Sequence, residues 1–228
     1  MLIHHRFELP IDLAAARRIQ ERLRRRVILD DEFLDIREIK TVAGCDVAYD
    51  RYGKRVFAAV VVMEAGSFTV VEKVTFSGRA SFPYIPGFLS FREGPVLLAA
   101  IKRLKTEPDV FLFDGQGIAH PRRMGIACHL GVILDKPSIG CAKTHLYGSY
   151  DEPAGGRGAS SFIQDERGRR LGLVLRTRTG VKPVFVSPGH RCGVKMAGEV
   201  VMFWARKYRL PEPLRLAHIL AQSAVNHL

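Results

Sequence analysis

The sequence predicts an α/β fold built on a mixed sheet: three antiparallel strands, then alternating helices and parallel strands, with helices on both faces. Three observations carry this expectation. Between Lys40 and Phe76, three apolar segments are separated only by short glycine-containing turns, which leave room for antiparallel neighbours alone. After them, segments with helical spacing alternate with short apolar runs. One of those runs, Val110 to Phe113, has no polar alternation, the pattern of a parallel strand buried on both faces. The chain has 228 residues, with no internal repeat and no low-complexity tract, so 1–228 is read as a single domain.

In order, Asp12 to Val27 reads as a helix that follows Pro10. Leu13, Ala16, Ile19, Gln20 and Leu23 form its inner stripe. Arg17, Arg18, Arg22, Arg24, Arg25 and Arg26 form the other face, read as solvated in preference to phosphate-contacting. Strands follow at Lys40 to Tyr49, Val56 to Met63 and Phe68 to Phe76, with turns at Arg51–Lys54 and Gly66. Phe82-Pro-Tyr-Ile-Pro-Gly87 is a short rigid loop with Tyr84 and Ile85 at its tip. Phe88 to Leu104 is a helix, and Pro95 inside it implies a kink or an early position. Beyond the Val110–Phe113 strand come a helix at Met124 to Leu134 and a strand at Ser138 to Cys141. Tyr150 to Ser160 is Gly-rich and reads as a mobile surface loop. A hairpin of Phe162 to Asp165 with Leu171 to Thr177 turns at Arg167-Gly168. A last strand, Val184 to Val186, is ended by Ser187-Pro-Gly-His190. Helices at Cys192 to Lys207 and Pro213 to Asn226 finish the chain.

The formal net charge of +12 points to polyanions as partners. Cys45, Cys128, Cys141 and Cys192 form no Cys-x-x-Cys pair and read as buried hydrophobes in a reducing compartment. No apolar run is long enough to cross a bilayer, and Met1 to Arg6 carries no secretory apolar stretch. The expectation is a cytoplasmic protein without a membrane partner, acting as a monomer.

Chemistry concentrates between Pro108 and Ala127. The strand ends on Asp114, followed by Gly115, Gly117, His120, Arg122 and Arg123. Ligands of open α/β sheets sit beyond the carboxyl ends of strands, and an acid beside basic residues there suits a cation bridging to phosphate. The plainer alternative is a capped turn. Gly115-Gln-Gly117 also opens a dinucleotide fingerprint, but His120 occupies the position of its third glycine. Asp46 interrupts an apolar strand, where an acid is costly to bury unless bonded or liganded. If the Asp46 and Asp114 strands are neighbours, the two carboxylates converge. Glu93 can then lean over them, although compensation of the helix dipole also accounts for it. Three converging acids require a cation, and hard oxygen ligands select magnesium, with manganese able to substitute. His218, in the last helix, reads by itself as a bonded histidine at the domain edge.

The chain resembles the endonuclease V family of deoxyinosine-directed repair nucleases. The resemblance rests on Gly44-Cys-Asp46, Phe82-Pro-Tyr-Ile-Pro-Gly87, Phe91-Arg-Glu-Gly-Pro95, Phe113-Asp-Gly-Gln-Gly-Ile-Ala-His-Pro121, Gly140-Cys-Ala-Lys143, Val186-Ser-Pro-Gly-His190 and Pro211-Glu-Pro-Leu-Arg-Leu-Ala-His218. It implies a ribonuclease H-like fold. It implies that Asp46 and Asp114 bind metal with Glu93 and His218 beside it, and that Lys143 supports the phosphate near the cut. It makes the loop of Pro83, Tyr84 and Ile85 a strand-separating wedge. It places the flipped base near Gly87, Leu89, Gly125 and Ile126, with Gly117 and His120 also at the lesion. The reaction it implies is hydrolysis of the phosphodiester on the 3′ side of deoxyinosine, at the second bond, by metal-activated water. The products carry 3′-hydroxyl and 5′-phosphate. The partner is deoxyinosine DNA, with inosine RNA as a second candidate. The mild departures are Cys45 and Thr144. Two other classes remain open: another ribonuclease H-type nuclease (a junction resolvase or an RNA-cutting enzyme), and a non-catalytic nucleic-acid binder.

Overall fold

The computed structural model describes residues 3–31 and 35–226. Its centre is a sheet whose first three strands are β1 (Thr41–Tyr49), β2 (Arg55–Glu64) and β3 (Val70–Arg79), paired antiparallel in sequence order. β3 starts later than its apolar pattern suggests because Phe68 adopts φ 54° and belongs to the turn. The crossover helix α2 (Leu89–Ile101) leads to β4 (Val110–Phe113), which pairs parallel with β1. The helix α3 (Ile126–Leu134) leads to β5 (Ser138–Ala142), parallel with β4.

The parallel part ends there. β6 (Ser160–Gln164), β7 (Arg170–Leu175) and β8 (Val184–His190) extend the sheet antiparallel, giving the order β3-β2-β1-β4-β5-β8-β7-β6. The segment Ser187-Pro-Gly-His190 does not end β8 but continues it. Ser138 faces His190 while Ile139 faces Pro188, so a bulge absorbs Gly189 and tolerates the proline.

Both faces are covered, which explains why β4 is buried at every residue. Ala43, Cys45, Phe111 and Phe113 pack beneath α2 and α3. Val42, Val110, Leu112 and Val186 pack beneath α4 (Val194–Trp204) and α5 (Glu212–Asn226). The first helix, α1 (Leu13–Arg24), is capped by Asp12, which accepts the Ala15 amide at 2.6 Å. It buries Ala16, Ile19, Gln20 and Leu23, the expected stripe apart from half-exposed Leu13, and leaves its arginines outward. Pro95 lies inside α2 and cannot donate to the Phe91 carbonyl; Ser81 Oγ reaches that oxygen instead, at 3.4 Å. All four cysteines are buried and free. Among the described residues no helix is long and apolar enough to cross a membrane.

Candidate active site

The parallel β1–β4 register sets Cys45 beside Phe113, so the residues that follow, Asp46 and Asp114, leave the ladder side by side. The Asp114 amide donates to the Cys45 carbonyl at 3.1 Å, which holds the strand ends together. α5 crosses the same place because residue 44 is glycine: a Cβ there would overlap the backbone of Pro213 and Leu214. One turn further along α5, His218 Nδ1 lies 2.7 Å from Asp46 Oδ2. Asp46 Oδ1 accepts the Val47 amide at 2.8 Å.

Donor atoms of Asp46, Asp114 and His218 all lie within 4.8 Å of one another. Burial and the negative charge of Asp114 push the Asp46 carboxyl up to about 6. A cluster that holds two carboxylates together at a free-energy cost, with an imidazole beside them, fits a hard divalent cation. Lys143, just beyond β5, forms an ion pair with Asp114.

Glu93 does not join this group among the described residues. It is buried one turn into α2, and its Oε1 accepts the Tyr49 hydroxyl at 2.6 Å. Burial pushes its carboxyl up to about 8, with the Asp46 and Asp114 charges adding and the Tyr49 hydrogen bond opposing. A buried carboxyl with a specific partner is not a solvent-facing answer to a helix dipole.

A cavity of about 360 Å³ opens beside Asp114 and Lys143. Tyr84, Ile85, Gly87 and Leu89 line it together with Gly125 and Ile126. Tyr84 stands 71% exposed, free to meet a partner. Pro83 faces a different cleft. Gly117 does not line the cavity: its amide donates to Ser187 Oγ at 2.7 Å, and a Cβ would overlap the Pro188 carbonyl, so it is a packing glycine. His120 reaches the cavity but is buried, with Nε2 3.0 Å from the Gly87 carbonyl. Burial lowers its pKa to about 4, so it is a neutral brace and not a cationic phosphate ligand.

Gln20, which sequence reasoning did not place at the site, and Arg122, which it set beside Asp114 to meet phosphate, complete that brace. The Gly87 carbonyl also accepts from Gln20 Nε2 at 3.0 Å and Arg122 Nη2 at 2.7 Å, while Arg122 Nε donates to Gln20 Oε1 at 2.5 Å. Gly87 itself adopts φ 82°. The signal was present: Gln20 is a polar residue on the inner stripe of α1, where it needs buried partners.

The same sites can be set against known proteins. The family model for Endonuclease V matches residues 21–219. The Endonuclease V of Methanothrix thermoacetophila is 51% identical over 189 residues, 83% of each chain. The solved Endonuclease V of Bacillus subtilis superposes with a TM-score of 0.93 at 36% identity, covering 100% of this chain and 98% of that one. The Ciona intestinalis Endonuclease V, solved with a 24mer DNA containing an inosine followed by a ribo-adenosine, superposes with a TM-score of 0.84 at 28% identity over 94% of this chain and 98% of its own. With a family match running from α1 to α5 and relatives of the same fold along the whole chain, the protein belongs to the endonuclease V family.

Proposed function

We propose that this protein cuts DNA at deoxyinosine, hydrolysing the second phosphodiester on the 3′ side and leaving 3′-hydroxyl and 5′-phosphate, in a reaction that uses magnesium or manganese. Family membership makes the chain a DNA repair nuclease that hydrolyses phosphodiesters. The observation that carries the finer reading is the cavity of about 360 Å³, walled in part by backbone at Gly87 and Gly125 and opening at the Asp114–Lys143 pair. A pocket for one base lies directly beside the acids that would cut its strand. The relative from Ciona intestinalis binds inosine DNA, which supports the same ligand here.

In this reading Asp46, Asp114 and His218 hold the cation, and Glu93 stands behind them. The chemistry a bound divalent cation supplies is activation of water and neutralisation of charge on the scissile phosphate. Lys143 holds Asp114 and presents a positive charge where the cavity meets the acids, so it positions the phosphate. His218 orients the Asp46 carboxylate through its 2.7 Å contact. Tyr84 inserts beside the flipped base and offsets part of the cost of unstacking, a few kcal/mol. A ribo-adenosine follows the inosine in the Ciona complex, and that favours inosine RNA as a second substrate.

End-labelled DNA and RNA, single- and double-stranded, with and without one inosine, test the reading in magnesium. Cutting should depend on inosine and fall one bond beyond the lesion's 3′ neighbour; cutting at branched structures without inosine would overturn it. Tyr84→Ala should lose about tenfold or more on inosine duplex and much less on single strands, where less stacking must be broken. Equal losses would make Tyr84 merely structural. Gln20→Ala should loosen the Gly87 wall and lower kcat/KM on inosine DNA about tenfold with metal affinity unchanged, since it removes the hydrogen bonds that Gln20 donates to the Gly87 and Met124 carbonyls and the one it accepts from Arg122. Wild-type kinetics would remove Gln20 from the pocket.

A further inference from the structure

The loop that carries Tyr84 has a recess on each side. Tyr84 to Gly87 line the base cavity, whereas Phe82 and Pro83 line a separate open cleft of about 770 Å³. The other walls of this cleft are the β1–β2 turn and the adjoining ends of β2 and β3, which bring Lys54, Arg55 and Arg79 together. Arg92 also lines it but is committed to the fold: its guanidinium donates to the Phe82 carbonyl at 2.8 Å and the Gly53 carbonyl at 2.6 Å. The acid lining the cleft, Asp50, is committed too, with Oδ1 accepting the amides of Lys54 at 2.7 Å and Arg55 at 3.1 Å.

Lys54, Arg55 and Arg79 are exposed, and among the described residues none of them forms an ion pair. Arg55 rests over the Phe57 ring, 5.3 Å from its centroid, with Nη2 3.4 Å from Ser77 Oγ. Arg55 and Arg79 stand directly opposite each other in the β2–β3 ladder. Like charges in that relation destabilise a sheet, and an anion lying between them relieves the repulsion. Tyr52, at the tip of the β1–β2 turn, is 76% exposed and offers a ring on which a base can stack.

We propose that this cleft carries the sugar–phosphate backbone of the strand opposite the lesion. The inference rests on the deoxyinosine-cutting reading above. A wedge driven into a duplex leaves one strand on each of its sides. The lesion strand is committed to the side of the base cavity, because Asp114 and Lys143 lie there. The side that remains is the cleft whose rim carries Lys54, Arg55 and Arg79, with Arg55 reaching over its edge towards Phe57 and Ser77. Its contacts are to phosphate, so they carry affinity and register without reading sequence.

The test compares the wild type with Lys54→Ala/Arg55→Ala/Arg79→Ala on two probes, an inosine-containing duplex and the same lesion strand alone. Binding is measured without metal over a range of salt, and cleavage with magnesium. The variant should bind duplex about tenfold or more weakly at near-physiological salt, and the slope of log affinity against log salt should shrink by about 2 to 3, one unit per lost phosphate contact. Cleavage of the single strand should stay within about twofold of wild type, which also shows that the variant is folded. Unchanged duplex affinity and slope would overturn the proposal. Equal weakening on both probes would overturn it as well, because the cleft would then hold the lesion strand. If the wild type did not require inosine, the deoxyinosine reading would fail, while the duplex-against-single-strand binding difference would still report on the cleft.

Discussion

Asp46→Asn and Asp114→Asn should each abolish cleavage, with kcat falling about a thousandfold or more, while the protein still folds and binds DNA. Activation of water by a held cation is a large part of the rate of such hydrolases, and an amide is a far poorer ligand of nearly the same shape. The geometry predicts that folding survives. A carboxamide in place of the Asp46 carboxylate can still accept the Val47 amide and donate to His218 Nδ1, the two contacts that Asp46 makes now. Without metal, Asp46→Asn should even raise the melting temperature above pH 6. The sign follows from linkage: the folded-state pKa of Asp46 is raised from 3.8 to about 6, so the native state holds its proton more tightly than the unfolded chain. Stability associated with that proton is present below the ordinary carboxylate range and is lost as pH rises through about 6. An amide does not ionise and escapes the loss. Near-normal nicking by either folded variant in magnesium would falsify its place in the site.

Gly125→Ala should be the next most damaging change, lowering cleavage of inosine DNA about a hundredfold while binding of undamaged DNA at one salt concentration changes little. Hypoxanthine differs from guanine by the missing exocyclic amino group, so a pocket that accepts one and refuses the other must be tight at that edge. Main chain is the least adjustable wall. Gly125 caps α3 and donates its amide to the Gly117 carbonyl at 3.0 Å. A Cβ there would overlap the Gln116 carbonyl and come within 2.6 Å of the Gly117 oxygen. The alanine must therefore push on the 115–117 turn, which begins next to Asp114. A displacement of about 1 Å between base and acids is enough to cost two orders of magnitude. The same overpacking should lower stability by about 1–3 kcal/mol, so melting must be followed alongside the kinetics. Leu89→Ala is the companion that widens the cavity without any clash; it should weaken the preference for inosine over guanine. If Gly125→Ala cuts inosine at the normal rate and still spares guanine, the base is read elsewhere.

Much of this site was legible in the chain before any fold was known. The three-strand meander, the crossover helix and the β4 run followed from apolar spacing, because burial on one or both faces of a sheet imposes its period locally. An acid at the end of a strand and another within an apolar strand marked Asp114 and Asp46, and the segments shared with the endonuclease V family extended the reading to Lys143 and His218. Their convergence was conditional on β1 and β4 being neighbours, which the parallel register fulfils. Local pattern ran out where a side chain's destination lies on a distant element. Gly117 stands in a motif that suggests phosphate but is packed against β8, and His120 braces Gly87. Ser187 to His190 looks like a strand end because proline breaks ladders, yet a bulge at Gly189 carries β8 through it.

Local pattern and short motifs were enough to specify most of the elements, the acid that follows β4 and the acid within β1, the rigid loop of Tyr84 and the family. Which side chains meet was settled by the packed fold alone. Asp46 and His218 lie 172 residues apart in the chain, and Gln20 and Gly87 lie 67 apart. Such pairs are chosen by how close two backbones can pack, as Gly44 allows beneath α5, and by the need of each buried polar atom for a partner. No local period encodes either condition, so Glu93 facing Tyr49 and three donors meeting on the Gly87 carbonyl emerge only once the helices are in place.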